Sequence, residues 1–185
     1  MQKKISLIAQ AYSGYTFRGA IVGIQEGEIS VFQAKNIQTN QDITSTSHLV
    51  KIPAESLRSP NFLESGDILI VSRGSGYESF RAAVFSSNEE RVMWSSSVHV
   101  IRINDVTILP KYLCLYLNSK QGQQAISQIV TGATYLQSIL IKDLLTLEVP
   151  IPSIHIQKSI IALYENIMNQ EQIVRRKIEI QKIII

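Results

Sequence analysis

"VPIPSIHIQKSII", residues 149–161, is the stretch on which the reading of this chain turns. Pro150 and Pro152 bracket Ile151, and each proline fixes its own φ and holds the residue before it extended. A strand therefore ends here. Beyond Ser153 there is neither Pro nor Gly as far as Ile185, so no local stop signal interrupts a helix once it has begun. Stepping by four and three from Ile160 gives Tyr164, Ile167, Glu171, Val174, Ile178, Gln181 and Ile185, and six of these eight residues are apolar. The spacing predicts a helix over 154–185 with a heptad-like stripe. At about 1.5 Å per residue it is roughly 45 Å long. Ile160, Tyr164, Ile167, Val174 and Ile178 are the candidate pairing residues. Either a second helix covers them or the chain's own body does.

Upstream, residues 1–153 read as one globular domain, rich in strand signals. "EISVFQAKNI" (28–37) and "HLVKIP" (48–53) have extended, β-branched character. "GDILIVS" (66–72) is a turn leading into a continuous apolar run of strand length, and "RVMWSSSVHVIRIN" (91–104) reads as one or two more strands. Helical character appears at "PKYLCLYLNSKQGQQAISQIV" (110–130), with Pro110 in a first turn and Gly122 as the expected break. The fold class is α+β: a mixed domain with a mainly β N-terminal part, then a long C-terminal helix of coiled-coil type.

The bulk numbers narrow the functional classes. A 45% hydrophobic content with 18% charged residues suits a folded domain with its own core. The net charge of +3 permits a nucleic-acid partner without demanding one. Arg18, Lys35, Arg73, Arg81, Arg91 and Arg102 are dispersed, and the one tight basic cluster, Arg175–Lys177, reads as a solvated helix face. Cys114 stands alone, which excludes an internal disulfide and fits a reducing, cytoplasmic setting. No stretch has the length of a membrane span.

Signals for catalysis are weak. "SRGSG" (72–76) follows a strand but lacks the lysine and spacing of a P-loop. His48, His99 and His155 have no partners at metal-ligand spacing. Neither a cofactor nor a metal is expected, nor a catalytic residue. One enzyme reading stays open: Ser59 in "SPNFLESGDILIVS" is similar to the nucleophile of LexA-like self-cleaving peptidases. Pro60 departs from that pattern, and the next lysines, Lys111 and Lys120, fall in helical sequence. A pure oligomerisation scaffold is the other alternative.

The ordered set of segments is more specific than any one of them. "SGYTF", "QAKNI", "LESGDILIVSRG", "SSSVHVIRI", "LPKYLCLYLNSKQGQQAI" and "GATYLQSILIKDLLTLEVPIPSIHIQKSIIALYENI" follow one another along nearly the whole chain. Together they resemble a target recognition domain and conserved helix of Type I restriction–modification specificity subunits, most specifically at "VPIPSIHIQKSI". The resemblance implies a non-catalytic subunit that reads one half of a split target in double-stranded DNA. It implies methyltransferase and restriction subunits as partners. A specificity subunit usually carries two such domains and two helices, so a single set implies either a half-subunit that homodimerises through the helix or a piece of a longer chain.

Base and phosphate contacts are then expected from polar residues in loops and beside strands. The candidates are Tyr15, Thr16 and Arg18 in "SGYTFR", Lys35 and Asn36 in "QAKNI", and Arg73, Ser75 and Tyr77 around "SRGSGY". Thr134, Tyr135 and Gln137 in "GATYLQS" complete them. Half-buried packing for each tyrosine and plain surface charge for each arginine remain the alternatives.

Overall fold

A computed structural model describes residues 1–24, 26–39, 42–56, 61–76, 79–133 and 135–184. In chain order the strands begin with β1 (Gln2–Lys4), β2 (Ala9–Ser13), β3 (Ile29–Phe32) and β4 (Val50–Ile52). They continue with β5 (Ile68–Val71), β6 (Arg73–Gly74), β7 (Ala82–Val84), β8 (Val92–Trp94) and β9 (Val98–Ile103). Helices α1 (Pro110–Asn118) and α2 (Lys120–Ser127) follow. Then come β10 (Thr131–Ala133), β11 (Leu136–Ser138), α3 (Ile141–Leu144), β12 (Glu148–Pro150) and α4 (Ile154–Ile184).

The apolar run Ile68–Val71 explains the layering. A strand with one solvated face alternates in polarity; one buried on both faces does not. β5 lies inside an antiparallel sheet ordered β2-β9-β5-β7. Its register sets Leu69 opposite Val100 and Ala83, and Ile68 opposite Ile101 and Val84. Side chains alternate across a strand, so the two sets enter different cores. Ile68, Ile70, Ala82, Val84 and Ile101 pack with Ile5, Leu113, Leu117, Ile126 and Leu144 on the helical side. Leu69, Val71, Ala83, Phe85 and Val100 pack with Phe32, Val92 and Trp94 on the other. The second core is closed by a sheet ordered β4-β3-β8, in which β3 runs parallel to β8 and antiparallel to β4. Each fully buried aliphatic side chain contributes about 1.5–3 kcal/mol over its exposed state.

Two expectations shift. "EISVFQAKNI" is strand only as far as Phe32; residues Ala34–Asn36 form a 3-10 turn instead. The Gln33 and Asn36 side chains cap it reciprocally, a local alternative that outcompetes a longer ladder. The helical break falls at Ser119 rather than at Gly122. The Ser119 amide closes α1 on the Tyr116 carbonyl, and its hydroxyl accepts the Gly122 amide at the start of α2 (3.1 Å). Gly122 has a different task. A Cβ there would lie 2.0 Å from the Tyr116 carbonyl oxygen and 2.9 Å from the Leu117 Cα, so glycine lets α2 turn back tightly against α1.

The two-proline junction closes the body and launches the long helix. β12 pairs antiparallel with β1, setting Val149 opposite Lys3, and Val149 is fully buried. The Ile151 amide donates to the Met1 carbonyl (2.8 Å), and the Tyr112 hydroxyl donates to the Pro150 carbonyl (2.7 Å). In the first turn of α4 the Gln157 side chain is buried completely. Its Oε1 accepts the Leu109 amide at 2.9 Å, and its Nε2 donates to the Thr107 and Pro152 carbonyls at 2.8 and 2.9 Å. One glutamine thus joins the start of α4 to the start of α1. Helix α4 is 31 residues long in all.

Candidate nucleic-acid interface

The turn formed by residues 95–97, between β8 and β9, ties three distant stretches of chain together and, through one of them, a fourth. Tyr15 lies on one side: its amide donates to the Trp94 carbonyl (2.9 Å), and the Ser96 amide donates to its own carbonyl (2.8 Å). The Ser97 hydroxyl accepts the Ala34 amide (3.1 Å), fixing the 3-10 turn that carries Lys35 and Asn36. Buried Ser72 donates its amide to the Ser97 carbonyl (2.9 Å) and its hydroxyl to the Ser96 carbonyl (2.8 Å). Arg73 and β6 follow directly. The Ser72 carbonyl accepts the Ile139 amide (2.9 Å), anchoring the end of the β10–β11 hairpin.

These small side chains are required by the closeness of the strands. At Gly14 a Cβ would stand 2.0 Å from the Ser95 carbonyl oxygen and 2.7 Å from the Trp94 ring. The Ser95 and Ser97 hydroxyls are 2.7 Å apart and hydrogen-bond to each other. "SSS" had only the look of strand; three short hydroxyl side chains between two β-branched runs were the available turn signal.

The candidates read from the sequence divide by position. Tyr15 is half-buried and meets Phe17 edge-to-face, with ring centroids 5.0 Å apart. Thr16 is exposed beside a cavity of about 300 Å³ lined by Ser13, Gly14, Asn61 and Met93. Lys35 is exposed; Asn36 is half-buried and spends its Oδ1 on the Gln33 amide (2.9 Å). Arg73 and Ser75 are exposed, as is Tyr135, whereas Gln137 is half-buried opposite Gly74. Arg18 is exposed on the loop leading to Ile24, whose amide bonds to the Lys51 carbonyl of β4. Hydrogen bonds tie Tyr15, the Lys35–Asn36 turn, Arg73 and the hairpin to one turn but do not bring Arg18 to it. Tyr77 and Thr134 lie outside the described residues.

Several cations of the body are engaged by its own groups. Arg102 bonds Asp67 at 2.7 and 2.8 Å and Glu64 at 2.5 Å, and stacks over Tyr12. Arg91 pairs with Glu28, and Arg81 donates to the Ile37 carbonyl. Among the described residues Arg18, Lys35 and Arg73 form no ion pair, which leaves their charge available to an anionic partner.

Buried His99 supports the hairpin from below. Its Nε2 bonds the Ile139 carbonyl (2.8 Å), and its Nδ1 has no partner among the described residues. Burial holds its pKa below the ordinary value; the Ile139 bond opposes this and the Arg73 charge adds to it.

No group of three or more His, Cys, Asp or Glu is placed to hold a metal ion among the described residues. No helix among them is long and apolar enough to cross a membrane. Ser59 lies outside the described residues. Of the lysines considered with it, Lys111 is paired with Asp42 at 2.6 Å. Burial pushes the Cys114 thiol up to about 12, so it stays protonated.

The pairing face of α4 differs in part from the heptad reading. Tyr164 turns toward the body: it is half-buried, 5.8 Å from the Lys111 ammonium, and burial pushes its phenol up to about 12. Ile160, Ile167, Val174 and Ile178 stay in solvent, and Ile156 and Leu163 join them; these six are 39–63% exposed. At about 100° per residue they fall within an arc of about 60°.

The sequence matches the family of Type I restriction modification DNA specificity domains over residues 2–182. A search of curated proteins finds no match. Among solved structures, the chain is similar to one from a study of complex assembly and conformational transition of the type I R-M system. That match has a TM-score of 0.68 and 17% identity over 96% of this chain and 40% of the other. The S subunit of the Type-I restriction-modification system from M. genitalium matches with a TM-score of 0.59 and 18% identity, over 98% and 42% of the two chains. The HsdS subunit from Thermoanaerobacter tengcongensis gives a TM-score of 0.65 and 16% identity, over 96% and 39%. The chain spans about two fifths of the length of each of these proteins.

Proposed function

This chain belongs to the Type I restriction modification DNA specificity family, and on that premise we propose that it is a non-catalytic recognition unit reading one half of a split duplex target. The observation that carries the reading is the convergence on residues 95–97. Tyr15, the Lys35–Asn36 turn, Arg73 and the hairpin bearing Tyr135 and Gln137 are held by one hydrogen-bonded knot. Unpaired Lys35 and Arg73 supply phosphate contacts, and the neighbouring amide and hydroxyl groups supply base-edge contacts.

Residues 1–153 form the recognition domain in this reading, and α4 acts as spacer and pairing element. The exposed stripe Ile156–Ile178 packs against a second long helix, from another copy of this chain or from a second half of a longer one. Such a pair holds two recognition domains about 45 Å apart, further than one turn of B-DNA at about 34 Å. Two copies related by a two-fold axis would read an inverted repeat. The same helices offer a platform for methyltransferase and restriction subunits, which the chain brings to the target.

The test is the salt dependence of duplex binding. The full chain should bind duplex DNA with affinity falling linearly in log salt, and Arg73→Gln should reduce that slope by about 1. Absence of duplex binding at low salt, alone or with a methyltransferase subunit, would overturn the proposal.

A further inference from the structure

We infer that the β10–β11 hairpin is a wedge, and that Leu136, with Tyr135 beside it, enters the bound duplex and partly unstacks a base step. The inference rests on the DNA-reading proposal above and adds a mode of action to it. Tyr135 is 88% exposed and its neighbour Leu136 is 65% exposed. They are consecutive residues at the tip, so the hairpin ends in two large side chains left in water.

The support beneath the pair is firm. β11 is hydrogen-bonded to β10 on one side and to β6 on the other. The Ile139 amide is fixed by the Ser72 carbonyl (2.9 Å), and the Ile139 carbonyl by His99 Nε2 (2.8 Å). The tip is thus carried on a braced three-stranded sheet, and only the Ala133–Leu136 pair extends beyond β6 as a two-stranded ribbon, narrow enough to enter a groove.

The flanks are polar and cationic. Exposed Arg73 is the register partner of Ser138, Gln137 sits opposite Gly74, and exposed Lys142 follows on α3. An apolar docking face for another protein is depleted of charge at its centre. An apolar tip with cations on its flanks suits a duplex, where the cations meet phosphates and the tip meets stacked bases. Tyr135 adds a ring on which a loosened base can stack.

The test uses the full chain and the duplex most enriched in a selection from random duplexes, with 2-aminopurine replacing each adenine in turn. Binding is read by anisotropy and unstacking by 2-aminopurine fluorescence. Wild type should raise the fluorescence at one step of the target. The Tyr135→Ser/Leu136→Ser double variant, with unchanged thermal melting, should lose that rise and bind about ten-fold or more weakly. Arg73→Gln should weaken binding and lower the salt slope yet keep the rise at saturation. A wild-type complex with no rise at any position would overturn the wedge while leaving DNA reading intact. So would a double variant that binds DNA as wild type does but fails to assemble with the methyltransferase subunit; it would make the tip a protein contact. Failure of wild type to bind any duplex would overturn both readings.

Discussion

Ile68–Val71 and the stripe on α4 are both built from aliphatic side chains, yet their surroundings are opposite. The four residues of β5 are 0–2% exposed, sandwiched between a helical layer and a second sheet. Ile160, Leu163, Ile167, Val174 and Ile178 are 39–63% exposed on a helix that leaves the body after its first turns. The difference lies in the supply of partners. β5 finds both of its covers within the chain; α4 finds cover for Gln157 and Tyr164, and beyond them its stripe stays exposed among the described residues. Apolar area left in water forgoes about 25 cal/mol per Å², and that unclaimed burial is the driving force for the proposed helix pairing.

Mutation should separate the two regions most sharply. Leu69→Ala removes a side chain buried between sheets and is expected to cost about 2–5 kcal/mol in urea unfolding. Leu163→Ala should change the stability of the isolated monomer by less than about 0.5 kcal/mol. The Ile160→Ser/Ile167→Ser pair should likewise leave the monomer folded but abolish self-association in sedimentation experiments. A large loss of monomer stability from either α4 change would erase the contrast.

Next in size is the joint between the regions. Gln157→Ala leaves the Leu109 amide and the Thr107 and Pro152 carbonyls without their partner, and unmet buried groups cost about 1–3 kcal/mol. Amide hydrogen exchange should quicken at Leu109 and through the first turns of α4, with β5 unaffected. Gly122→Ala belongs on the body side. Its methyl must displace the Tyr116 carbonyl, and crowding of this kind costs about 1–3 kcal/mol.

The smallest predicted effect is a pH dependence from one buried histidine of the body. Burial depresses the pKa of His99 from its ordinary 6.5. As pH falls below about 6.5 the unfolded chain takes up a proton before the native state does, so stability drops on acidification and is fully present above that range. Melting temperatures between pH 7.5 and 5 should show this loss, and His99→Gln should flatten it.

Much of this contrast was legible in the sequence, for physical reasons. A continuous apolar run in "ILIV" and a three–four spacing after "VPIP" are signals of burial and period, and both became the corresponding elements. Signals that depend on tertiary proximity were not legible. Tyr164 satisfies the heptad yet faces Lys111, because α1 lies against one side of the helix. Gln157 looks like a surface residue until Leu109 and Thr107 are folded over it. Gly122 reads as a helix break, while its role comes from the approach of Tyr116. The turn at residues 95–97 could not be seen as a hub, since the three stretches bonded to it are distant in sequence. Tyr15, the Lys35–Asn36 turn and Arg73 meet around that turn through contacts between stretches distant in sequence, which no local signal announces.

The most direct measurement is a selection from a random duplex pool by the purified chain with a methyltransferase subunit, at stated salt. A recognition unit should enrich a specific half-site, appearing as a split inverted repeat when the chain pairs with its own copy. No enrichment at any salt concentration would contradict the DNA-reading role.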